Sequence, residues 1–489
     1  MKLVQRGLAV FLLLQPGVAP GDGNTDREVL ALQKAVENAI ARAEPGIACV
    51  LVSRSERYAV LGQGPDSDIP GKLGGFRGHF DTRDDERFRA DRALDLSNPD
   101  TVPESFGSGL VISRTGLVLT CAHVVRNATK VYVRLPNGKG SWADIQALDS
   151  RSDLAVLRLL DPPDGMREVR FGDGGNLRRG QFVVGLANPY AAGYRDGVPS
   201  ASWGIISNVR RRAPGVTSET DRALQSFHRY GTLIQTDVRL NPGCSGGALV
   251  NLDGEVVGVT TALGALTGLD SPGGFAVPVD RRMRQIIEVL SRGEEVEYGF
   301  LGVRMNPDDR ARRGAVILDV LKGGPAERAG LQSNDVVVAI NDNPVRNNDD
   351  LFLQIGSLTV GSEVFLSVRR GAEVIRKGPV SLTKLYVSIP SLASRRPPAP
   401  FGLRVDYMSV LSQRSFNALP DDGVVIREIV PKSIAEGQSL LQLDRVITRV
   451  NGKPVTSPSE FYRAMEQAGN RAEVTILNSE HRPETVILK

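Results

Sequence analysis

The stretch LIQTDVRLNPGCSGGALVNLDGEVVGV, residues 233–259, gives the strongest indication of fold class in this sequence. It contains three short apolar runs, and a Gly-rich turn with a single serine, Ser245, separates the first two. Short apolar runs bounded by Gly-rich turns are typical of antiparallel strands. The stretch therefore predicts part of an antiparallel β-barrel that carries a serine on a tight turn.

The same alternation of apolar runs and turns extends from Gly107 to about Pro278, and a helix at 280–290 is expected to close this domain. Upstream, a capping-box sequence at 25–28 precedes apolar residues at helical spacing, and residues 47–52 have the composition of a first strand. Residues 53–100 are rich in Gly, Asp and Arg with little periodicity, so we expect a long mobile surface loop.

An internal repeat follows the barrel region. The sequence GAVI at 314–317 is echoed by GVVI at 423–426, about 110 residues further along the chain, and the segment 335–345 has a similar echo. Two copies of one module are therefore predicted in tandem. The Pro- and Ser-rich stretch between them, SIPSLASRRPPAP, indicates a linker. The expected bounds are 297–386 for the first module, 387–399 for the linker and 400–489 for the second module.

The N-terminal sequence resembles an export signal. Lys2 and Arg6 precede an apolar run at 7–14 that is too short to span a bilayer. We expect residues 1–22 to be a signal peptide, with a buried N-terminal segment as the alternative. The expected location is secreted, periplasmic or elsewhere in the cell envelope, and association of the N-terminus with the membrane stays open.

Composition excludes several classes of function. Lys plus Arg number 60 against 56 Asp plus Glu, so the chain is close to neutral and nucleic acid is not an expected partner. The basic run 210–212 is interpreted as a solvated loop. Three cysteines do not make a disulfide framework, and four histidines without a Cys-x-x-Cys motif predict no metal site. No cofactor is expected.

Ser245 is the candidate nucleophile. A serine hydroxyl reacts only when a base removes its proton, and the glycines around Ser245 allow a turn that points backbone N–H groups inward. The amides of Gly243 and Ser245 could then form an oxyanion hole. A Gly-x-Ser-Gly-Gly string is common, so it is weak evidence by itself.

His123 and Asp153 strengthen the interpretation. His123 lies where an apolar run ends, in LTCAHVV, and Asp153 opens the buried run DLAVLRL. Each would be interpreted alone as a structural residue or strand cap. Together with Ser245 they occur in the order His, Asp, Ser, which is the chain order of the chymotrypsin-type catalytic triad.

On these motifs the sequence resembles the HtrA/DegP family of serine proteases. GSGLVIS, GLVLTCAHVV, SDLAVLRL, the stretch 233–259, GGFAVPVD and GLANPYAAG all resemble segments of that family. The resemblance implies a mainly β chain: a trypsin-like double antiparallel β-barrel protease domain at 23–293, followed by two PDZ domains of α+β type. It places His123, Asp153 and Ser245 at the triad positions.

Some residues depart from the family pattern. Cys244 stands where Asn is usual before the nucleophile, and Arg239 where a small residue is usual. The resemblance implies a shallow apolar substrate pocket with Leu240 on its wall. An inward Arg239 would favour cleavage after Asp or Glu, and an outward one cleavage after small aliphatic residues; we expect the outward case. The segments 53–100 and 189–231 also look long for the family.

The PDZ-like modules should bind peptides with free C-termini by strand addition. The sequence Gly299-Phe300-Leu301-Gly302 fits the carboxylate-binding loop of the first module, whereas Phe401-Gly-Leu403 fits less well in the second. The resemblance implies an ATP-independent endopeptidase for unfolded or damaged proteins that assembles as a homo-oligomer, a trimer or multiples of it. An inactive chaperone or peptide-binding scaffold is the alternative. A thiol enzyme that uses Cys244 is a weaker one.

Overall fold

The computed structural model describes most of the chain. The described residues are 23–54, 95–103, 105–212, 231–261, 273–306, 313–384, 392–394, 399–407, 423–430, 432–443, 445–478 and 482–489. The predicted signal peptide and nearly all of the predicted loop at 53–100 lie outside the described residues.

A seven-stranded sheet forms the first barrel, and the N-terminal helix that precedes this sheet packs against the second barrel. Strand β22 (Leu392–Ala393) extends the edge of this sheet, whose strand order is β22-β5-β4-β1-β2-β3-β6, and pairing of β5 with β6 closes the barrel. Its elements are α1 (Gly23–Ala43), β1 (Ile47–Ser53), β2 (Ser105–Ser113), β3 (Leu117–Cys121), α2 (Ala122–Val125), β4 (Lys130–Arg134), β5 (Gly140–Asp149) and β6 (Leu154–Leu159).

A second seven-stranded sheet follows in the order β11-β8-β9-β10-β13-β12-β7, closed by pairing of β11 with β12. Its elements are β7 (Arg170–Phe171), β8 (Phe182–Ala187), β9 (Ser200–Arg211), β10 (Leu233–Thr236), β11 (Ala248–Val250), β12 (Glu255–Thr261), β13 (Gly274–Pro278) and α3 (Arg281–Ser291). The Asp280 carboxylate caps α3 by accepting from the Met283 amide, so the predicted closing helix is present.

The two barrels share one hydrophobic core. Val50 and Leu119 of the first barrel belong to the same buried cluster as Leu186 and Val250 of the second. This packing holds the loops of both barrels in fixed relation, which a site assembled from both requires.

The first module forms a six-stranded sheet in the order β15-β16-β17-β19-β20, with β18 paired to β17. Strands β14 and β21 pair separately and close its base. The elements are β14 (Gly299–Phe300), β15 (Val303–Met305), β16 (Ala315–Val320), α4 (Pro325–Arg328), β17 (Val336–Ile340), β18 (Asn343–Pro344), α5 (Asn348–Gly356), β19 (Glu363–Arg370), β20 (Glu373–Ser381) and β21 (Thr383–Lys384).

The second module repeats this topology, in the order β23-β24-β25-β27-β28 with β26 paired to β25. Its elements, preceded by β22 (Leu392–Ala393), are β23 (Leu403–Tyr407), β24 (Val424–Ile429), β25 (Val446–Val450), β26 (Lys453–Pro454), α6 (Pro458–Ala468), β27 (Ala472–Leu477) and β28 (Pro483–Leu488). Each module packs around a buried cluster of its own.

The mainly β architecture predicted from the sequence is confirmed. The predicted linker contains one short regular segment, because β22 pairs with β5 through Leu392 with Leu148 and Ala393 with Ala147. The edge of β5 offers a row of backbone groups to which a further strand can pair, and this part of the linker is accordingly extended. Among the described residues, no helix has the length and apolar character needed to cross a membrane.

Candidate active site

Each barrel supplies part of the predicted catalytic set. His123 lies in α2, directly after β3, and Asp153 lies between β5 and β6, both in the first barrel. Ser245 lies between β10 and β11 in the second barrel. The three side chains therefore come from a short helix and two loops, contributed by both barrels. The shared core of the barrels fixes the distance between these segments.

His123 and Asp153 form a two-point contact. The Nδ1 atom of His123 lies 2.6 Å from Oδ2 of Asp153, and the His123 backbone amide donates to Oδ1 at 2.9 Å. The Asp153 side chain is 7% exposed and that of His123 26%. With Nδ1 facing a carboxylate, the imidazole is held with Nε2 pointing away from Asp153, the orientation a general base needs.

The electrostatics of this pair favour a protonated imidazole. Burial lowers the pKa of His123, but the charge of Asp153 and the hydrogen bond to it together outweigh burial and raise that pKa above its ordinary value of 6.5. Contact with Asp153 therefore favours the positively charged form of the imidazole.

The loop that carries Ser245 depends on glycine. Gly243 has φ +95° and Gly246 φ +86°, values that L-residues rarely adopt. A Cβ at Gly243 would also lie 2.5 Å from the Asn188 carbonyl oxygen and 2.8 Å from the Phe106 ring. The Gly-rich sequence around Ser245 is thus required both by backbone conformation and by close packing.

Hydrogen bonds join this loop to the first barrel. The Ser108 amide donates to the Ser245 carbonyl at 2.8 Å, and the Ser108 hydroxyl donates to the Gly243 carbonyl at 2.8 Å. A Cβ at Gly107 would lie 2.6 Å from Val124 Cγ1 and 3.2 Å from the Ser245 carbonyl oxygen. The residue after His123 and the backbone of Ser245 therefore approach the same point on β2.

The loop before Asp153 is held by residues that sequence reasoning missed. The Asp149 carboxylate accepts from the Ser152 amide at 2.8 Å, and its Oδ2 accepts from the Tyr298 hydroxyl at 2.5 Å. Asp153 itself has φ +56°. Asp149 and Tyr298 therefore fix the turn that orients Asp153. No local signal could reveal a contact between residues so distant in the sequence.

Cys121 completes a group of three possible metal ligands. Its Sγ and donor atoms of His123 and Asp153 lie within 4.8 Å of one another. Burial raises the pKa of the Cys121 thiol well above its ordinary value. The thiol lies 3.6 Å from the Thr260 carbonyl, and His123 and Asp153 already bind each other. A metal ligand must be a thiolate, so this arrangement favours a packed thiol over a metal site.

Cys244 is a buried thiol on the nucleophile loop. It is 2% exposed, and burial raises its pKa to about 11 although the Asn241 backbone lowers it. At neutral pH the sulfur is therefore protonated and a poor nucleophile. These properties argue against the thiol-enzyme alternative.

Arg239 and Leu240, the predicted specificity residues, have different environments. Arg239 is exposed and lines a cavity of about 530 Å³ with Ser200, Ser202 and Cys244. Leu240 is half-buried, and its Cγ would lie 2.5 Å from a Cβ placed on Gly274. In the described part of the chain Arg239 forms no ion pair.

The predicted carboxylate loop, residues 299–302, lies at the start of the first module. Gly299 and Phe300 form β14, whereas Leu301 is 3% exposed and its carbonyl accepts from the Ala326 amide at 2.9 Å. Gly302 has φ +83° and accepts from the Leu321 amide. The loop thus lies beside β15 with its carbonyls bonded inside the module.

Comparisons with known families agree with this geometry. Residues 107–259 match the model of the trypsin-like peptidase domain, and residues 299–376 match that of the PDZ domain. Fold and family models together define a trypsin-like peptidase that carries a PDZ domain.

Curated relatives and solved structures extend the match. A probable periplasmic serine endoprotease DegP-like of Marinomonas sp. is 32% identical over 370 residues, 73% of each chain. A second protein of the same name, from Chlamydia trachomatis, is 31% identical over 384 residues, which cover 75% of this chain and 72% of the relative. The solved structure of the HtrA-type protease AlgW with tripeptide matches this chain with a TM-score of 0.51 and 23% sequence identity. The match covers 72% of this chain and 97% of the AlgW chain, and it shows similarity of fold.

The chain belongs to the HtrA/DegP-like family of trypsin-like serine endoproteases. The family predicted from the sequence motifs is confirmed, together with one PDZ domain.

Proposed function

We propose that this chain is an ATP-independent serine endopeptidase that cleaves unfolded or damaged proteins in the periplasm or elsewhere in the cell envelope. The observation that carries the proposal is the 2.6 Å contact between His123 Nδ1 and Asp153 Oδ2 beside the Gly-rich loop of Ser245. The periplasmic part is supported by the names of the relatives, which are called periplasmic endoproteases.

In the proposed mechanism His123 Nε2 accepts the proton of the Ser245 hydroxyl as its oxygen attacks the peptide carbonyl. Asp153 holds the imidazole in the required tautomer and stabilises its positive charge. The amides of Gly243 and Ser245 donate to the oxyanion. Among the described residues no backbone carbonyl accepts from the Gly243 amide, which supports this role. His123 then donates its proton to the leaving amine.

For specificity, we propose that cleavage follows small aliphatic residues, with Leu240 on the pocket wall. Its half-buried packing against Gly274 supports an apolar wall. Arg239 lines the same cavity as Leu240, but it is exposed and forms no ion pair among the described residues, so it can point to solvent. Mass-spectrometric mapping of the fragments reads the residue before each cut. A dominant preference for Asp or Glu that is lost in Arg239→Ala would contradict this specificity.

For domain organisation, we propose a signal peptide at 1–22, a protease domain at 23–293, PDZ domains at 297–386 and 400–489, and a linker at 387–399. The identical strand order of the two modules supports a second PDZ domain. We also propose a homo-oligomer, a trimer or a multiple of it, on the family resemblance alone. We further propose that the N-terminus can associate with the membrane.

The first module is proposed to bind peptides with free, apolar C-termini. Its loop 299–302 and the edge of β15 border a cavity of about 150 Å³. In the second module, the Val405 amide on edge strand β23 donates to the Tyr462 hydroxyl at 3.2 Å. Tyr462 of α6 thus already bonds the edge strand to which a peptide would add, so the first module is the better candidate.

Casein digestion by purified wild type and by Ser245→Ala tests the proposal. Loss of turnover by several orders of magnitude in a variant with unchanged thermal unfolding is expected. Wild-type protein that binds unfolded casein but never cleaves it would instead favour the alternative function, a peptide-binding chaperone. Digestion by Ser245→Ala at the wild-type rate would show that the triad is assigned wrongly.

A further inference from the structure

The cavity of the first module receives one wall from the protease domain. It is lined by the loop 299–302, by Val303 and Met305 of β15, and by residues 351, 352, 355 and 356 of α5. These described residues are all apolar or glycine. The remaining lining residue is Arg151, which belongs to the loop between β5 and β6 of the first barrel. It is the single charged side chain among the described residues that line this cavity.

From this arrangement we infer that Arg151 is a ligand-binding residue of the first module, where it binds a carboxylate of the peptide. The ligand site is then composite, with the apolar groove and loop amides from the PDZ domain and the cation from the protease domain. The inference rests on the proposed peptide binding by the first module and assigns a further residue and a ligand chemistry to it.

Arg151 is held in place before any ligand arrives. Its guanidinium carbon lies 4.5 Å from the ring centroid of Tyr298 and 4.6 Å from that of Phe352, and the residue is 3% exposed. Tyr298 is in turn bonded to Asp149, at the start of the loop that carries Arg151. Two aromatic contacts and a fixed loop reduce the entropy lost on binding, so the charge is preorganised.

The surroundings explain why the ligand group should be a carboxylate. A planar guanidinium presents several N–H donors in a fork that matches the two oxygens of a carboxylate. In an apolar cavity this interaction is screened less than at an exposed surface. The carboxylate can be the C-terminus of the peptide or an acidic side chain close to it, because both present the same two oxygens to Arg151.

Peptide binding to the full chain in a Ser245→Ala background tests the inference without digestion of the probe. Fluorescein-labelled octapeptides that end in Val, Leu or Phe are compared as free acids and as C-terminal amides, and with Glu or Gln at the residue before the last. Binding of each peptide is measured by fluorescence anisotropy with three chains: the one that keeps Arg151, Arg151→Met and Arg151→Lys. Met keeps an apolar stem of similar length, and Lys keeps the charge without the planar fork.

We expect Arg151→Met to reduce the advantage of a carboxylate by about 10-fold or more, and Arg151→Lys to reduce it less. Loss of the free-acid advantage identifies the C-terminus as the source of the carboxylate, and loss of the Glu-over-Gln advantage identifies the side chain. If the chain with Arg151 prefers peptides that carry the carboxylate and Arg151→Met keeps this preference in full, the inference is wrong. The first module would then still bind peptides, but without Arg151 as a ligand.

A different failure points to the proposed function itself. If the chain with Arg151 binds every free acid and its amide twin equally, or binds none of the peptides, carboxylate capture by the first module is excluded altogether. Thermal unfolding at the same temperature for all three chains shows that differences in affinity do not come from unfolding. Should Arg151→Met unfold early, the comparison between the wild-type chain and Arg151→Lys decides the same question, because Lys keeps the charge but lacks the planar fork and its stacking on Tyr298 and Phe352.

Discussion

His123 links the geometry of single residues to the pH dependence of the enzyme. In the proposed mechanism its imidazole must be neutral to accept the Ser245 proton, and contact with Asp153 raises its pKa above the ordinary value of 6.5. A raised pKa means that protonation persists to higher pH, so the acidic fall in activity should have its midpoint above pH 6.5. Measurement of kcat/KM between pH 5 and pH 9 on a neutral peptide substrate checks this expectation.

The matched variant for that experiment is Asp153→Asn. It keeps the shape of the side chain but removes the charge that raises the pKa of His123, and its amide no longer enforces the correct tautomer. We expect kcat to fall by roughly 10⁴-fold, as in the general template of the triad, and the remaining acidic limb to move to lower pH. A midpoint that stays unchanged would show that Asp153 does not set the pKa of His123.

Cys244 provides the opposite test, because it should be dispensable. Its thiol is buried and its pKa is raised to about 11, so the sulfur is protonated at neutral pH and no thiolate is available for catalysis. We expect Cys244→Ser to retain most of the wild-type kcat/KM on casein. Complete loss of activity in a folded Cys244→Ser chain would revive the thiol mechanism.

Among the elements, the turn between β5 and β6 shows what a sequence can predict. Asp153 could be found because it opens a buried strand and occurs between His123 and Ser245 in the expected order. The residues that orient Asp153 could not be found in the sequence. Asp149 looks like an ordinary turn residue, and its partner Tyr298 lies beyond the second barrel in the sequence. Contacts between residues so far apart follow from how the domains pack, which local patterns do not encode.

The hydroxyl of Tyr298 should therefore matter for both stability and rate. Tyr298→Phe keeps the ring against Arg151 but leaves the buried Asp149 carboxylate without one donor. We expect a loss of about 1–3 kcal/mol in the free energy of unfolding and a lower kcat with KM little changed. Chemical denaturation and peptidase kinetics measure the two effects.

Tyr190→Phe is the control for that substitution, since Tyr190 is 65% exposed. It should change neither quantity by much. Equal effects of the two substitutions would mean that the bond to Asp149 does not support the turn.

For the molecule as a whole, Lys384 connects three segments of the chain. Its side chain is 8% exposed, and its Nζ lies 2.8 Å from Asp406 of the second module. The same atom lies 3.2 Å from Glu295 and 3.8 Å from Glu297, at the start of the first module. Burial lowers the pKa of Lys384, but the three carboxylates together raise it by more than burial lowers it. The pKa is therefore raised overall, and the amine stays charged. The cluster holds the second module against the first.

Lys384→Met should release the second module, because it leaves three carboxylates close together without their cation. Removal of one partner of a fully buried ion pair costs about 3–5 kcal/mol, and the cost here should be smaller because solvent reaches the carboxylates, which are 22% to 44% exposed. We expect faster cleavage of the linker 387–399 by an added protease and a larger radius of gyration in small-angle X-ray scattering. Lys139→Met, at an exposed lysine, is the control. Scattering curves that coincide with the wild type would contradict a connecting role for Lys384.

The global fold was more predictable than the arrangement of its domains. The strand-and-turn pattern of the barrels and the repeat of the modules are periodic and local, and both domain types have sequence signals. By contrast, the pairing of β22 with β5 and the position of Arg151 in the groove of the first module depend on tertiary packing between segments hundreds of residues apart.

The central claim, that Ser245 is a nucleophile activated by His123, is tested most directly by covalent labelling. A fluorophosphonate probe reacts with an activated serine, and digestion with mass spectrometry then identifies the modified residue. The adduct should lie on Ser245 in the wild type and be lost in His123→Ala, which removes the base. An adduct on another serine, or undiminished labelling of Ser245 in a folded His123→Ala chain, would contradict the account.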